Sequence, residues 1–100
     1  MTKSFALHCD FPGRAIFQMK FTNGYVLSMN MGMGGYNDNR NIRALPETLE
    51  NDRVECAVFD PEDKWVTKEF FPRAEDGDCS VVGWATMEDI QKAISEIIKK

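Results

Sequence analysis

One histidine, three cysteines and a scatter of carboxylates are the side chains here that could do chemistry, and their spacing decides how much. His8 and Cys9 are neighbours. Neighbours in a strand point to opposite faces, so these two cannot serve one metal ion or act together as base and nucleophile. Cys9, Cys56 and Cys79 make neither a Cys-x-x-Cys pair nor a zinc set. Odd in number and widely spaced, they read as reduced thiols packed mostly as small apolar groups. Cys79 stands among acids, which raise a thiol pKa instead of lowering it. Glu75, Asp76 and Asp78 share a loop with Gly77, but they lack the ligand spacing and terminal Glu of a calcium loop and read as a solvated acidic turn. A metal-dependent hydrolase is the weakest reading. The expectation is a protein that is not an enzyme and takes no metal and no cofactor.

The stretch Met29–Arg40 (MNMGMGGYNDNR) is the other place where chemistry could sit. It has no Gly-Lys-Ser/Thr, no G-x-G-x-x-G and no following helix to aim amides at a phosphate. Two readings stay open. In one, the glycines let the backbone approach a ligand, Tyr36 stacks on it, and Arg40 or Arg43 takes an anionic group. In the other, Gly32, Gly34 and Gly35 bend and end a strand while Asn37-Asp38-Asn39 form turns. The candidate binding residues are Tyr36, Asn37, Asp38, Asn39, Arg40 and Arg43. Met29, Met31 and Met33 point to the same side as Phe17 and suit core packing, although Met also suits adaptable binding surfaces.

The elements that must position these residues fit one domain spanning 1–100. An apolar content of 43%, with seven Phe and two Trp, suffices for a globular core. No apolar run is long enough to span a bilayer, and the N-terminus has no continuous apolar segment of the signal-peptide kind. The reading is cytoplasmic. The net charge of −4 is uneven: residues 1–43 carry +3 and residues 44–100 carry −7. That balance argues against general nucleic-acid binding, while the acidic half suits either plain solubility or a basic partner.

Ser4 to Phe11 alternates polar and apolar residues and predicts a half-buried strand ended by Pro12-Gly13. His8 falls on its polar face. Ile16 to Met31 holds two strands around Thr22-Asn23-Gly24. A two-residue loop would set the apolar residues of one strand opposite the polar residues of the other. A three-residue loop pairs Phe21 with Tyr25, Met19 with Leu27 and Phe17 with Met29, leaving Gln18, Lys20, Ser28 and Asn30 on the other face. Face matching therefore predicts the three-residue turn, with Gly24 in the left-handed region. Leu45 to Leu49 suggests one helical turn. Val54–Phe59 and Trp65–Phe71 read as a central hairpin, because both faces carry apolar residues. Ser80–Trp84 reads as a short last strand. Thr86 caps a final helix, with Asp89 in the capping-box position and Met87, Ile90, Ile94 and Ile97 on one stripe. The fold class is α+β: an antiparallel sheet of about five or six strands with one C-terminal helix packed on a face.

Phe21-Thr22-Asn23-Gly24-Tyr25, Ser28, Gly32-Met33-Gly34-Gly35-Tyr36, Asn39, Trp65 and Val82-Gly83-Trp84 together resemble the pattern of small accessory proteins encoded by bacteriophages and prophages. The resemblance runs from about residue 17 to the final helix. It brings no activity or residue roles with it. It implies a context, in which such proteins act by binding a host protein, including defence or regulatory factors. The functional expectation is thus a non-enzymatic, phage-type accessory protein that occupies a host protein by surface complementarity. The alternative is a module for a small anionic ligand, using the 32–43 loop. A homodimer is compatible with either.

Overall fold

Face matching between two strands sets the frame of this molecule. The computed structural model describes all residues, 1–100. Strands β2 (Ile16–Lys20) and β3 (Val26–Asn30) pair antiparallel with Met19 opposite Leu27 and Phe17 opposite Met29. The turn has three residues: Phe21 N–H donates to Tyr25 O at 2.8 Å, and Gly24 has φ +91°. Asn23 reinforces it by accepting from Tyr25 N–H and donating to Ile97 O at 2.8 Å.

The sheet is a five-stranded antiparallel meander in sequence order. β1 (Phe5–His8) lies outside β2, and β4 (Val54–Phe59) and β5 (Val82–Ala85) follow β3. Two helices complete it, the one-turn α1 (Thr67–Phe70) and α2 (Met87–Ile97). The α+β architecture and the C-terminal helix are as the sequence predicts. Thr86 Oγ1 accepts from Asp89 N–H while the Asp89 carboxylate accepts from Thr86 N–H at 3.0 Å. That backbone bond, with Arg73 beside it, holds the Asp89 carboxyl below its ordinary range.

Several expectations are corrected. Trp65–Phe71 is not a returning strand. Only Phe59 and Trp65 bridge, after which the chain turns into α1. The reason is Thr67: its buried Oγ1 accepts from Val58 N–H at 3.0 Å and donates to Ser80 O at 2.8 Å, so the hydroxyl takes the place of a ladder partner. Phe70 and Phe71 then enter the core from a helical turn. β4 is still an inner strand, but its second neighbour is β5. Leu45–Leu49 forms no helical turn, β1 stops at His8, and the last strand begins at Val82. Met87 lies outside the buried stripe and is 64% exposed.

The core occupies the helix-bearing face of β3–β5. Leu27, Cys56, Val58, Val82, Ala85 and Phe71 meet Ile90, Ala93 and Ile97 of α2. Burial pushes the Cys56 thiol up to about 12. Phe5 and Leu7 share this face but lie beyond the helices, and both remain largely exposed.

Two adjacent isoleucines test the docking of α2. Ile97 is fully buried and Ile98 is exposed. Ile97→Ala is expected to cost about 2–5 kcal/mol in urea unfolding, whereas Ile98→Ala should stay within about 0.5 kcal/mol of wild type. Equal effects from the two would mean that α2 is docked on another face.

Candidate functional site: an arginine–aromatic surface beside strand β5

The residues after β3 are held by amides. Met31 and Met33 N–H donate to Ala15 and Gly13 carbonyls at 2.8 and 2.7 Å, which carries the chain past the end of the strand. Asn30 Oδ1 accepts from Gly32 N–H at 3.0 Å. Asn37 is completely buried; its Nδ2 donates to Gly32 O at 2.9 Å and its Oδ1 accepts from Asn39 N–H at 2.8 Å. Asn39 Nδ2 reaches Asn51 Oδ1 and Glu50 O at 2.8 and 2.9 Å. A buried amide left without partners costs about 1–3 kcal/mol, so this mesh fixes one loop conformation.

Asp38 points the other way along the same turn. Its carboxylate accepts from the backbone N–H of Asp52 and Arg53, both at 2.8 Å, and from the Arg53 guanidinium at 2.9 and 3.0 Å. The Arg53 backbone N–H is the largest of the influences that hold the Asp38 carboxyl below its usual range, and partial desolvation opposes them. Thus oriented, Arg53 lies over the Trp84 ring at 5.3 Å. Arg40 lies over Tyr36 in the same way at 5.0 Å.

A bulge in β5 brings the two pairs together. Val54 faces Ala85 and Cys56 faces Val82, so Gly83 and Trp84 both lie opposite Glu55. Trp84 N–H donates to Tyr36 O at 2.8 Å, and Glu55 Oε2 accepts from Tyr36 N–H at 3.0 Å. Tyr36 lies directly on Gly83: a Cβ there would be 2.7 Å from Tyr36 Cβ, so only glycine leaves room. Trp84 has φ +55°, a left-handed conformation that costs a bulky residue about 1–3 kcal/mol. Despite that cost, Trp84 is 38% exposed, and Tyr36, joined to it through the backbone, is 41% exposed.

Of the residues singled out from sequence, Tyr36 and Arg40 stand together on this surface. Arg43 joins Arg40 along a shallow groove of about 450 Å³ with Met33 and Gly34. Asn37, Asp38 and Asn39 belong to the scaffold, their side chains engaged within the loop. Trp84 and Arg53 were not anticipated; the signal for them was Gly83 beside a Trp in a strand, which marks close backbone approach.

Other chemistry-bearing groups are dispersed. His8 bonds to Gln18 at 2.9 Å and Gln18 to Ser28 at 3.2 Å across the face opposite the helices. These side chains line a cavity of about 300 Å³ with Arg14, Asn30, Glu55 and Trp65; Asn30 and Glu55 bond to nearby backbone, and Arg14 pairs with Asp10 at 3.0 Å. Cys9 and Cys79 are exposed and free. Asp76 pairs with Lys68 at 3.0 Å, and no group of three or more His, Cys, Asp or Glu side chains is placed to hold a metal ion. No helix is long and apolar enough to cross a membrane.

Fold and surface together define a small antiparallel meander that presents two arginine–aromatic pairs, Tyr36–Arg40 from the loop after β3 and Arg53–Trp84 from the approach to β4 and the bulge of β5. No family model, curated protein or solved structure matches the chain.

The Asp38–Arg53 link has a pH signature. A carboxyl held below its unfolded value contributes stability that is fully present above that value, 3.8, and is lost as pH falls through the folded value. Asp38→Asn should melt below wild type near neutrality. The gap in Tm should hold from neutrality down to about pH 5 and narrow below 3.8, as pH falls through the lowered folded value; a gap unchanged down to about pH 1 would show that the carboxylate is not the stabilising group.

Proposed function

We propose that this protein is a non-enzymatic binding module that occupies a host protein through the Tyr36–Arg40–Arg53–Trp84 surface. The observation that carries this reading is the pairing of two exposed aromatic rings with two stacked guanidiniums on one pre-organised loop and bulge. Tyr, Trp and Arg dominate binding hot spots because they combine large apolar area with directional polar groups. A loop fixed by buried amides loses little conformational freedom on binding, so more of the contact energy is realised as affinity. The strained backbone of Trp84 adds support, since strain maintained at an exposed residue suggests selection for its position over stability.

The resemblance to phage and prophage accessory proteins supplies the biological setting: a host protein as partner, a regulatory or defence factor among the candidates, met in the host cytoplasm. Unpaired, dispersed cysteines suit that compartment. Arg40 and Arg43 make no ion pair with an acid, so the partner's surface is expected to be acidic where it meets them.

That same lack of ion pairing favours one second reading, a small anionic ligand in the Arg40–Arg43 groove. The two differ in which residues matter. The protein reading depends on Trp84; the ligand reading depends on Arg40 or Arg43, with Tyr36 stacking on the ligand, and does not need Trp84.

Capture of partners from host lysate with wild-type bait, identified by mass spectrometry, gives the binding assay. Tyr36→Ala and Trp84→Gly are then expected to weaken the captured interaction roughly thirtyfold each. Trp84→Gly should do so with Tm within a few degrees of wild type, because glycine accepts the positive φ. Full affinity in both variants, or no partner above background, refutes the reading. Binding of inorganic phosphate that is lost in Arg43→Ala but kept in Trp84→Gly would favour the ligand instead.

A further inference from the structure

The free edge of the sheet is chemically matched to itself. Lys20 N–H donates to Ser4 O at 2.8 Å, which makes Ser4 and Lys20 a hydrogen-bonded pair of the β1–β2 ladder. Such pairs alternate along an antiparallel ladder. Ala6 with Gln18 and His8 with Ile16 are therefore bonded inward, and Phe5 and Leu7 turn their N–H and C=O groups away from β2, into solvent. The side chains of these same two residues are 67% and 62% exposed, on the helix-bearing face where α2 does not reach. Phe5 is held upright by stacking on Phe17, with ring centroids 6.2 Å apart.

Edge strands are ordinarily blunted by a proline, a charge or a bulge. Phe5–His8 has none of these. We propose that β1 pairs with β1 of a second copy of this chain, antiparallel about a two-fold axis through Ala6, to form one continuous sheet. The order Ser4-Phe5-Ala6-Leu7-His8 suits that axis. It sets Phe5 opposite Leu7 of the second copy, Ser4 opposite His8, and Ala6 opposite Ala6. Apolar meets apolar, hydroxyl meets imidazole, and the smallest side chain lies on the axis, where two copies of one residue must fit. No like charges face each other. The register also makes hydrogen-bonded pairs of Phe5 and Leu7, so the outward amides and carbonyls of both copies are satisfied.

Size sets the strength. Phe5 and Leu7 from both copies cover roughly 500 Å² of apolar side chain, and with the backbone edge this reaches only the small end of specific interfaces. The dimer is therefore weak, with Kd on the order of micromolar. The surface lies on the opposite edge of the sheet from β5, so the two-fold pairing would leave two arginine–aromatic surfaces free, one at each end.

Sedimentation velocity from about 1 µM to about 500 µM, spanning the expected Kd, should show a monomer–dimer equilibrium. Phe5→Lys and Leu7→Glu, each at an exposed position, should each be monomeric with wild-type circular dichroism. Mixed together they should form a heterodimer, because this register alone places the introduced ammonium of one copy against the introduced carboxylate of the other. On wild-type protein, amide exchange at Phe5 and Leu7 should slow as concentration rises, while Ala6 and His8 stay protected throughout. The exchange measurement needs no variant, so it tests the proposal even if a substitution unfolds β1. A wild type monomeric across the range overturns it. So does a dimer that survives both single substitutions, a mixture that stays monomeric, or exchange at Phe5 and Leu7 that ignores concentration.

Discussion

The hydrogen bond from Phe21 N–H to Tyr25 O closes the turn that assigns every later strand its faces. Side chains alternate along a strand with a period of two, so a slip of one residue would turn Leu27 and Met29 outward and bring Ser28 and Asn30 onto the core. β4 reads its register from β3, with Val58 beside Leu27 and Cys56 beside Met29. β5 reads its own from β4, and α2 is laid on the surface that results. The Asn23 amide ties this turn directly to the last helical residue, Ile97, so the first hairpin and the final helix share one anchor.

The loop surface obeys a different rule. Apolar packing positions the sheet, but the 32–40 segment has few apolar side chains to bury and is fixed by directed bonds instead. Asn37 takes the place a core residue would have, fully buried with its amide bonded to the chain on either side. Around it, neighbouring residues take opposite parts. Tyr36 and Arg40 are free to face outward because Asn37, Asp38 and Asn39 face inward or across to residues 50–53. A network of this kind is rigid when complete and costly when broken, which suits a surface that must present its groups in one arrangement.

What could be read from the sequence divides along the same line. The three-residue turn was legible because two strands joined by a short loop leave few registers, and only one of them sorted Phe17, Met19, Leu27 and Met29 to one side. The helix was legible from Thr86 and Asp89, three residues apart, and from the spacing of Ile90, Ile94 and Ile97, although the structure buries Ala93 more fully than Ile94. The α1 turn was not, since Trp65–Phe71 has strand composition and the deciding contact, Thr67 with Ser80, spans thirteen residues. Half of the candidate surface was likewise hidden. Tyr36 and Arg40 stand out by type and position. Trp84 and Arg53 join them only through a bulge, an approach over Gly83 and a carboxylate fifteen residues from the arginine it orients. Nonlocal contacts of this kind leave little trace in composition or period.

Cys56 has a consequence of another sort. Its sulfur lies between the sheet and the helices, protonated far above neutrality, and so cannot react as the thiolate while the fold is closed. Cys9 and Cys79 stand in the open. The chain thus carries two addresses for a thiol label and one internal clock. Alkylation of the exposed pair is limited only by reagent chemistry, but the third sulfur waits for the moment when α2 lifts from the sheet. With a reagent fast enough to outpace reclosing, the rate at which it is consumed counts those openings one by one; with a slower one it reports the population of the open form.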